Sequence, residues 1–187
     1  MTGRLQGKRI VLIGAGQTAG PSIGIGRATS LLFAREEANL LLVDNNDDAA
    51  QETLDLITTN AGTAQFHHAD ITSASDCGTM AEVASSTLGG VDVLFNGVGI
   101  LGPGLAGEID EDLWDTVMDT NLKAMWLAAR SVIPLMIEQK AGSIIFVSSI
   151  GGVRGGTSSV YGISKAGVNR LVKSLAANYA HHDIRAN

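Results

Sequence analysis

Residues 9–16 of this chain read Arg-Ile-Val-Leu-Ile-Gly-Ala-Gly, a short β-branched run that ends in glycines. Apolar residues then recur with helical spacing over residues 25–37. A buried strand, a glycine-rich turn and a helix in this order predict the first unit of an α/β fold.

The same alternation of apolar strands and helices continues along the chain. Further strands are predicted at residues 40–43, 64–68, 91–95 and 143–147. Helices are predicted at residues 47–60, 73–88, 112–138 and 160–180. Near-continuous apolar strands between helices indicate a parallel sheet that is covered on both faces. The predicted fold is therefore a doubly wound parallel sheet, the Rossmann fold, in three α/β/α layers.

The composition limits the classes of protein to consider. At 187 residues, 45% of them hydrophobic, the chain is long enough for one domain, residues 1–187, with a sizeable core. A formal net charge of -6 argues against binding to nucleic acid or to an anionic membrane, so a small molecule is the expected partner. Cys77 is the only cysteine, which excludes an internal disulfide; no metal site is expected.

The N-terminal residues 1–8 are polar, and the apolar run after them is too short for a signal peptide or a membrane span. A cytoplasmic location is therefore expected.

Glycines flank the turn between the first predicted strand and helix. Gly14 and Gly16 follow the strand, and Gly24-Ile25-Gly26 opens the helix. Glycines let the backbone approach a pyrophosphate, which the free N–H groups at the helix N-terminus attract. The pattern predicts a dinucleotide-binding turn. A Gly-x-Gly-x-x-Gly pattern alone is weak, and which of Gly16, Gly20 and Gly24 contacts phosphate stays open.

Asp44 closes the second predicted strand, eighteen residues after Gly26. At this position a carboxylate can accept hydrogen bonds from the adenosine ribose hydroxyls, and it repels the 2'-phosphate of NADP. The neighbouring residues 45–48 contain no arginine that would offset its charge. NAD is therefore favoured over NADP. The alternative is that Asp44 only caps the following helix.

Tyr161 and Lys165 stand four residues apart in the last predicted helix. Residues at this spacing share a helix face, so the phenol and the ammonium group can meet. A phenol is a poor base at neutral pH, and a neighbouring cation favours its phenolate form. The pair is thus a candidate acid/base group; the alternative is an ordinary solvated helix face.

Together with Asn121 and the pair Ser148-Ser149, these features resemble the short-chain dehydrogenase/reductase family in their order and spacing. The resemblance implies that Tyr161 transfers the proton of the substrate, and that Lys165 assists it and binds the nicotinamide ribose. It implies that Asn121 distorts its helix and holds a proton-relay water. Ser149 matches the register of the substrate anchor in the family. Ser148 is the alternate, because its separation from Tyr161 matches the commonest spacing.

The resemblance extends to the turns after the third and fourth predicted strands. Asp70-Ile71 is similar to the pair that binds adenine in the family, although Asp70 can equally be a turn residue. Asn96-Gly97-Val98-Gly99 stands where the family has Asn-Asn-Ala-Gly, so Asn96, Gly97 and Gly99 are candidates for the cofactor site.

The chain departs from the family in the first turn. The family pattern is Thr-Gly-x-x-x-Gly-x-Gly, but Ile13 replaces the threonine and residues 17–22 lengthen the turn. The shape of the phosphate site is therefore left open.

The resemblance implies an NAD-dependent oxidoreductase that interconverts a secondary alcohol and a ketone. Two alternatives stay open: a non-catalytic dinucleotide-binding protein, and an NADPH-dependent reductase of 3-oxoacyl or sugar ketones. In the family, two long helices pair with those of a neighbouring subunit, which implies a homodimer or homotetramer. Family members also continue past the sixth strand, which residues 181–187 would begin. The resemblance therefore implies further strands and a substrate-covering loop after Asn187.

Overall fold

The computed structural model describes residues 3–18, 20–156 and 158–187. The described residues form one parallel sheet of six strands in the order β3-β2-β1-β4-β5-β6. The strands are β1 Arg9–Ile13, β2 Asn39–Asp44, β3 Thr63–His68, β4 Val93–Asn96, β5 Gly142–Phe146 and β6 Ile184–Ala186. The α-helices are α1 Ile25–Arg35, α2 Asp47–Thr59, α3 Ala74–Leu88, α4 Glu111–Met118, α5 Ala124–Gln139 and α6 Ser159–Tyr179.

Alternate residues of the central strands pack on opposite faces of this sheet. On one face, Val11 and Val43 share a core cluster with Val132 of α5. On the other face, Leu12 shares a second cluster with Ile57 of α2. The central strands are buried on both sides, because helices cover both faces of the sheet.

The strand order reverses at the centre of the sheet. β1 pairs with β2 on one side, where Ile13 is the register partner of Val43, and with β4 on the other, where its partner is Asn96. Ligands of open α/β sheets bind at such a reversal, outside the carboxyl ends of the strands. The predicted doubly wound fold is confirmed, and it brings the turns after β1, β2, β4 and β5 to one edge.

The helix predicted over residues 112–138 forms in three parts. A π-helical turn at Asp119–Lys123 separates α4 from α5. Asn121 lies in this turn, and its fully buried amide bonds to the backbone of Ile100, outside the helix. A π turn adds one residue to a helical turn, which the periodicity of the sequence does not reveal.

The other predicted helices and strands form with their ends shifted by at most two residues, and the expected sixth strand begins at Ile184. The Oγ of Ser73 accepts a hydrogen bond from the Asp76 N–H at 3.3 Å, so Ser73 is the N-cap of α3. Among the helices of the described residues, none has the length and apolar character that crossing a membrane requires.

Candidate functional site

The turn after β1 is tight, and two glycines make it possible. Gly14 has a φ of 82°, in the left-handed region that favours glycine. A Cβ on Gly26, in the first turn of α1, would overlap the carbonyl oxygen of Gly14. The N-terminus of α1 therefore lies directly against the end of β1, with Ile25 largely exposed beside it. The free N–H groups of this helix end are available to an anion.

The lengthened part of this turn is held by the side chain of Gln17. Its Oε1 accepts a hydrogen bond from the N–H of Gly24, the N-cap residue of α1, at 2.6 Å. Its Nε2 donates to the carbonyl oxygens of Thr18 at 2.8 Å and Ser22 at 2.9 Å. One carboxamide thus joins both ends of the inserted residues. Sequence reasoning missed Gln17, because no motif shows which backbone groups a loop glutamine will reach.

A second contact ties the turn to α2. Thr53 is fully buried, and its Oγ1 donates to the carbonyl oxygen of Ala15 at 2.9 Å. The Nε of Arg27 donates to the same hydroxyl at 2.9 Å, and Nη2 of Arg27 pairs with Glu52 at 2.8 Å. Thr53 and Arg27 thus fix the position of the turn relative to both helices. These two residues were also missed, since they lie far apart in the chain.

Asp44 lies at the end of β2 beside the glycine-rich turn, and its side chain is only partly buried. Its Oδ2 accepts from the Gly16 N–H at 2.8 Å and its Oδ1 from the Asn46 N–H at 3.0 Å. Asn46 is the N-cap of α2, since its side chain accepts from the Ala49 N–H at 3.1 Å. The alternative that Asp44 caps this helix is therefore wrong.

Asp70 and Ile71 follow β3 at the same edge of the sheet. The Asp70 carboxylate is exposed, and its Oδ1 accepts from the N–H of Thr72 at 2.9 Å and from its hydroxyl at 2.8 Å. Ile71 is only 6% exposed, and its side chain packs in the core. The side chain of Ile71 therefore offers little surface to an adenine ring, and Asp70 is the accessible member of the pair.

The turn after β4 brings the chain close to Lys165. Asn96 is fully buried; its Oδ1 accepts from the backbone N–H two residues later at 3.0 Å. Its Nδ2 has no hydrogen-bond partner among the described residues. Gly97 follows, and a Cβ on Gly99 would lie 3.0 Å from Nζ of Lys165 and 3.4 Å from Oδ1 of Asn121. The absence of a side chain at Gly99 therefore lets Lys165 and Asn121 approach the backbone of this turn.

Tyr161 and Lys165 lie one turn apart on α6. The Nζ of Lys165 is 5.8 Å from the centre of the Tyr161 ring, and it donates to the carbonyl oxygen of Val147 at 2.8 Å. Lys165 is 3% exposed, and this burial lowers its pKa below the usual value for lysine, because burial disfavours the charged form. The buried amino group of Lys165 therefore lies beside the ring of Tyr161.

Asn121 connects this part of α6 to the turn after β4. Its Oδ1 accepts from the Ile100 N–H at 2.8 Å, and its Nδ2 donates to the Ile100 carbonyl oxygen at 2.9 Å and to Oγ of Ser164 at 3.1 Å. Ser164 in turn donates to the carbonyl oxygen of Tyr161 at 2.7 Å. The structure thus joins Asn121 to the helical turn that carries Tyr161. Sequence reasoning missed the bridging Ser164.

Tyr161 and Ser149 line the same cavity, which has a volume of 830 Å³. The Oγ of Ser149 accepts from the Gly151 N–H at 3.1 Å. A Cβ on Gly151 would lie 3.5 Å from this Oγ and 3.4 Å from a ring carbon of Tyr161, so the hydroxyl and the phenol ring flank one glycine. Ser148 is not among the described residues of the lining; its Oγ donates to the carbonyl oxygen of Lys165 at 3.3 Å. Of the two serines, the structure brings Ser149 to Tyr161.

The sequence is similar to that of known proteins over almost its whole length. Residues 9–187 match the family model of the short chain dehydrogenases. An uncharacterized oxidoreductase of Bacillus subtilis, YxbG, is 35% identical to the chain, over 99% of this chain and 66% of that protein. The 3-oxoacyl-(acyl-carrier-protein) reductase FabG of Thermotoga maritima is 34% identical, over 98% of this chain and 73% of that protein. Both relatives are longer than this chain.

Solved structures show the same similarity. A short-chain dehydrogenase/reductase from Burkholderia xenovorans, 32% identical in sequence, superimposes with a TM-score of 0.95 over all of this chain and 74% of its own. An NAD⁺-bound xylitol dehydrogenase, 27% identical, superimposes with a TM-score of 0.92 over 98% of this chain and 70% of its own.

Proposed function

The chain belongs to the short-chain dehydrogenase family, and we propose that it is an oxidoreductase that interconverts a secondary alcohol and a ketone with NAD. The observation that carries the proposal is that Tyr161 and Ser149 line one cavity, with the buried Lys165 beside Tyr161. These are an acid/base group, a hydrogen-bond donor for the substrate oxygen and a cation to support the base.

The residues of the glycine-rich turn fit a dinucleotide. The close contact of Gly26 with Gly14 leaves the N-terminus of α1 open to a pyrophosphate, and Asp44 lies beside it where an adenosine ribose would bind. When bound, the nicotinamide ring supplies the acceptor or donor of the hydride. Lys165 and Asp44 would hold the two riboses, one on each side of the strand-order reversal.

Each side chain of the candidate site has its own role in the proposed reaction. Tyr161 removes the hydroxyl proton of the substrate in oxidation and returns it in reduction. Ser149 donates a hydrogen bond to the substrate oxygen and orients it. The ammonium group of Lys165 lies beside the phenol ring and supports the transfer of the proton. The hydrogen bonds of Asn121 hold the π turn in place against Ile100 and against α6, the helix that carries Tyr161.

A preference for NAD over NADP is supported by Asp44. Its carboxylate would repel a 2'-phosphate. The guanidinium of Arg27, which donates to Thr53 behind the turn, is already paired with Glu52.

A second candidate is an NADPH-dependent reduction of 3-oxoacyl ketones. The relative from Thermotoga maritima that carries this name is the observation in its favour. Kinetics with NADH and NADPH would separate the two, because the second candidate requires the phosphorylated cofactor. A non-catalytic dinucleotide-binding protein is less favoured, since cofactor binding alone needs no phenol in the cavity.

The variant Tyr161→Phe tests the proposed function. It keeps the ring and removes only the transferable proton, so we expect turnover to fall by about 100-fold or more, the usual loss for a general acid/base group. The affinity for NADH, measured by fluorescence titration, should stay nearly unchanged. Tyr179→Phe, at the only other tyrosine, is the matched control and should keep its turnover. Near wild-type turnover of Tyr161→Phe would refute the assignment.

We also propose assembly into a homodimer or homotetramer through α4, α5 and α6. A shallow apolar pocket on these helices is lined by Met118, Leu122, Trp126 and Leu171, among others. Trp126 is 43% exposed there, which is unusual for a large aromatic side chain on a free surface. Sedimentation of Trp126→Glu beside the wild type tests this assembly, with a shift to monomer expected.

A further inference from the structure

The cavity that holds Tyr161 and Ser149 is mostly apolar; beside these two residues, its lining has two further serines, Ser158 and Ser159. Its apolar side chains include Leu101, Ile150, Val153 and Ile163. Arg154 is the only charged residue among the described residues of the lining. A single cation in an apolar cavity is a specificity feature for an anionic group.

No carboxylate of the described residues neutralises the charge of Arg154. Arg4, Arg9 and Arg27 each pair with a carboxylate, whereas Arg154 forms no ion pair with the described residues. Its backbone N–H donates to the Ile150 carbonyl oxygen at 3.0 Å, which fixes its place just after the short helical turn that follows β5. Arg154 is an exposed residue, so it is accessible to a ligand.

The proposed cofactor site does not account for this charge either. None of the described residues that line the cavity belongs to the glycine-rich turn, and Asp44 is also absent from the lining. The pyrophosphate and the adenosine would bind at those residues. The positive charge of Arg154 therefore lies on the substrate side of the site.

We propose that the substrate is a hydroxy carboxylic acid with an apolar chain, or the matching oxo acid, and that its carboxylate pairs with Arg154. This substrate class rests on the proposed function. The planar guanidinium matches the two oxygens of a carboxylate. One arginine in an apolar lining suits one carboxylate on a hydrocarbon chain, and a cavity of 830 Å³ has room for that chain.

The reaction leaves the carboxylate unchanged. In oxidation the carbinol carbon loses a hydride to NAD and the hydroxyl loses its proton to Tyr161. The products are the oxo acid, NADH and one proton, which Tyr161 passes to solvent.

The test compares acids with their methyl esters. The probes are straight-chain hydroxy acids of increasing length with the hydroxyl on the carbon next to last, each paired with its ester, and kcat/KM is measured with NAD. For the best chain length, we expect the acid to exceed its ester by about tenfold, the range of one charge-assisted hydrogen bond at a partly exposed site. This preference should shrink as salt is added, because salt screens exposed charges.

Three variants complete the test. Arg154→Met keeps the length of the side chain without its charge, and it should remove the preference by lowering kcat/KM for acids only. Arg154→Lys should retain part of the preference, since it keeps the charge but loses the planar fork. Arg170→Met, an exposed α6 position outside the described lining, is the control and should leave the preference intact.

The outcomes separate this proposal from the proposed function. If esters and acids are oxidised equally well, or the preference survives in Arg154→Met, the substrate class is wrong while the NAD-linked oxidoreductase stands. If neither acids nor esters react but uncharged secondary alcohols are oxidised with NAD, the substrate class is wrong and the oxidoreductase stands. If uncharged secondary alcohols and ketones also fail to react with either cofactor, the proposed function fails and the substrate class fails with it.

Discussion

Asp44 shows how one side chain can serve both the protein and its ligand. Its two oxygens accept hydrogen bonds from the backbone of Gly16 and Asn46, so the carboxylate holds the end of β2 against the glycine-rich turn. Each carboxylate oxygen has a further lone pair, which can accept a hydrogen bond from a ribose hydroxyl. The charge that would select against NADP is thus positioned by the turn that would bind the pyrophosphate.

Two variants separate the charge of Asp44 from its hydrogen bonds. Asp44→Asn keeps one acceptor oxygen and removes the charge, so we expect the preference for NAD over NADP to narrow by about tenfold, because the repulsion of the 2'-phosphate is lost. Asp44→Ala also loses both backbone contacts and should weaken the binding of NAD as well. Titration of each variant with both reduced cofactors measures these effects. An unchanged preference in Asp44→Asn would show that the carboxylate has no part in selectivity.

The residues of the candidate site differ in how far the sequence could reveal them. Tyr161 and Lys165 could be paired from their spacing, because α6 is regular between them. Ser149 could be preferred to Ser148 only through its register in the family, since adjacent residues differ only in the direction of their side chains. Ser164 and Thr53 carry no pattern of their own; their roles depend on which helices pack together.

At the scale of elements, the turn between β1 and α1 is the part that departs most from the family pattern. Its inserted residues are closed by three hydrogen bonds from the carboxamide of Gln17, two as donor and one as acceptor. Because Gly24 is the N-cap of α1, this side chain sets the position of the inserted segment relative to the helix end that would bind phosphate.

Gln17→Ala should therefore raise KM for NAD by about tenfold, the equivalent of about 1.4 kcal/mol, while kcat stays close to wild type. Water can replace part of the exposed hydrogen bonds of Gln17, so the loss is smaller than three full bonds of roughly 1 kcal/mol each. The reason is that the loop loses its order before binding, whereas the bound chemistry at Tyr161 is untouched. Steady-state kinetics at saturating substrate give the two constants. Gln51→Ala is the control, since Gln51 is exposed on α2 and its side chain bonds, among the described residues, only to Asp55 of the same helix. Equal losses in kcat and in kcat/KM would contradict a role in cofactor positioning.

The break between α4 and α5 could not be predicted from the periodicity of the sequence. Apolar residues recur with helical spacing through both α4 and α5, so the sequence predicts one helix. The π turn between them follows from the buried amide of Asn121, whose partners Ile100 and Ser164 lie in other elements. Contacts between elements, rather than local preference, decide where the helix is broken.

At the scale of the whole molecule, the two edges of the sheet differ in character. The carboxyl edge carries the turns of the candidate site. At the amino edge, Arg9 begins β1 and Asp92 precedes β4, and they form a close ion pair. The four central apolar residues Ile10–Ile13 predicted a strand buried on both faces, and the alternation with helices predicted the parallel sheet. The ion pair could not be predicted, because it joins two strand ends that are far apart in the chain.

The Arg9–Asp92 pair supports the last prediction. Arg9 donates to the Asp92 carboxylate from its backbone N–H at 2.9 Å, from Nε at 3.1 Å and from Nη2 at 2.6 Å. These hydrogen bonds lower the pKa of Asp92 below its usual value, and the bonds from the guanidinium have the largest effect. We expect Asp92→Asn to lower the free energy of unfolding at neutral pH by about 1–2 kcal/mol, a range for hydrogen bonds to a charged group that is partly exposed.

The pH dependence of this loss follows from the direction of the pKa shift. A carboxylate whose pKa is lower in the folded state stabilises the protein above the pKa of the unfolded state, and this contribution is lost as the pH falls through the folded value. The difference between wild type and Asp92→Asn should therefore be constant near neutral pH and shrink below about pH 4, the ordinary range of an aspartate. Urea unfolding at a series of pH values measures it. Asp119→Asn, which breaks an exposed pair with Lys123, is the control and should change stability by no more than about 0.5 kcal/mol. A difference for Asp92→Asn that persists unchanged into acid would mean that the lost stability comes from altered packing and not from the charge of Asp92.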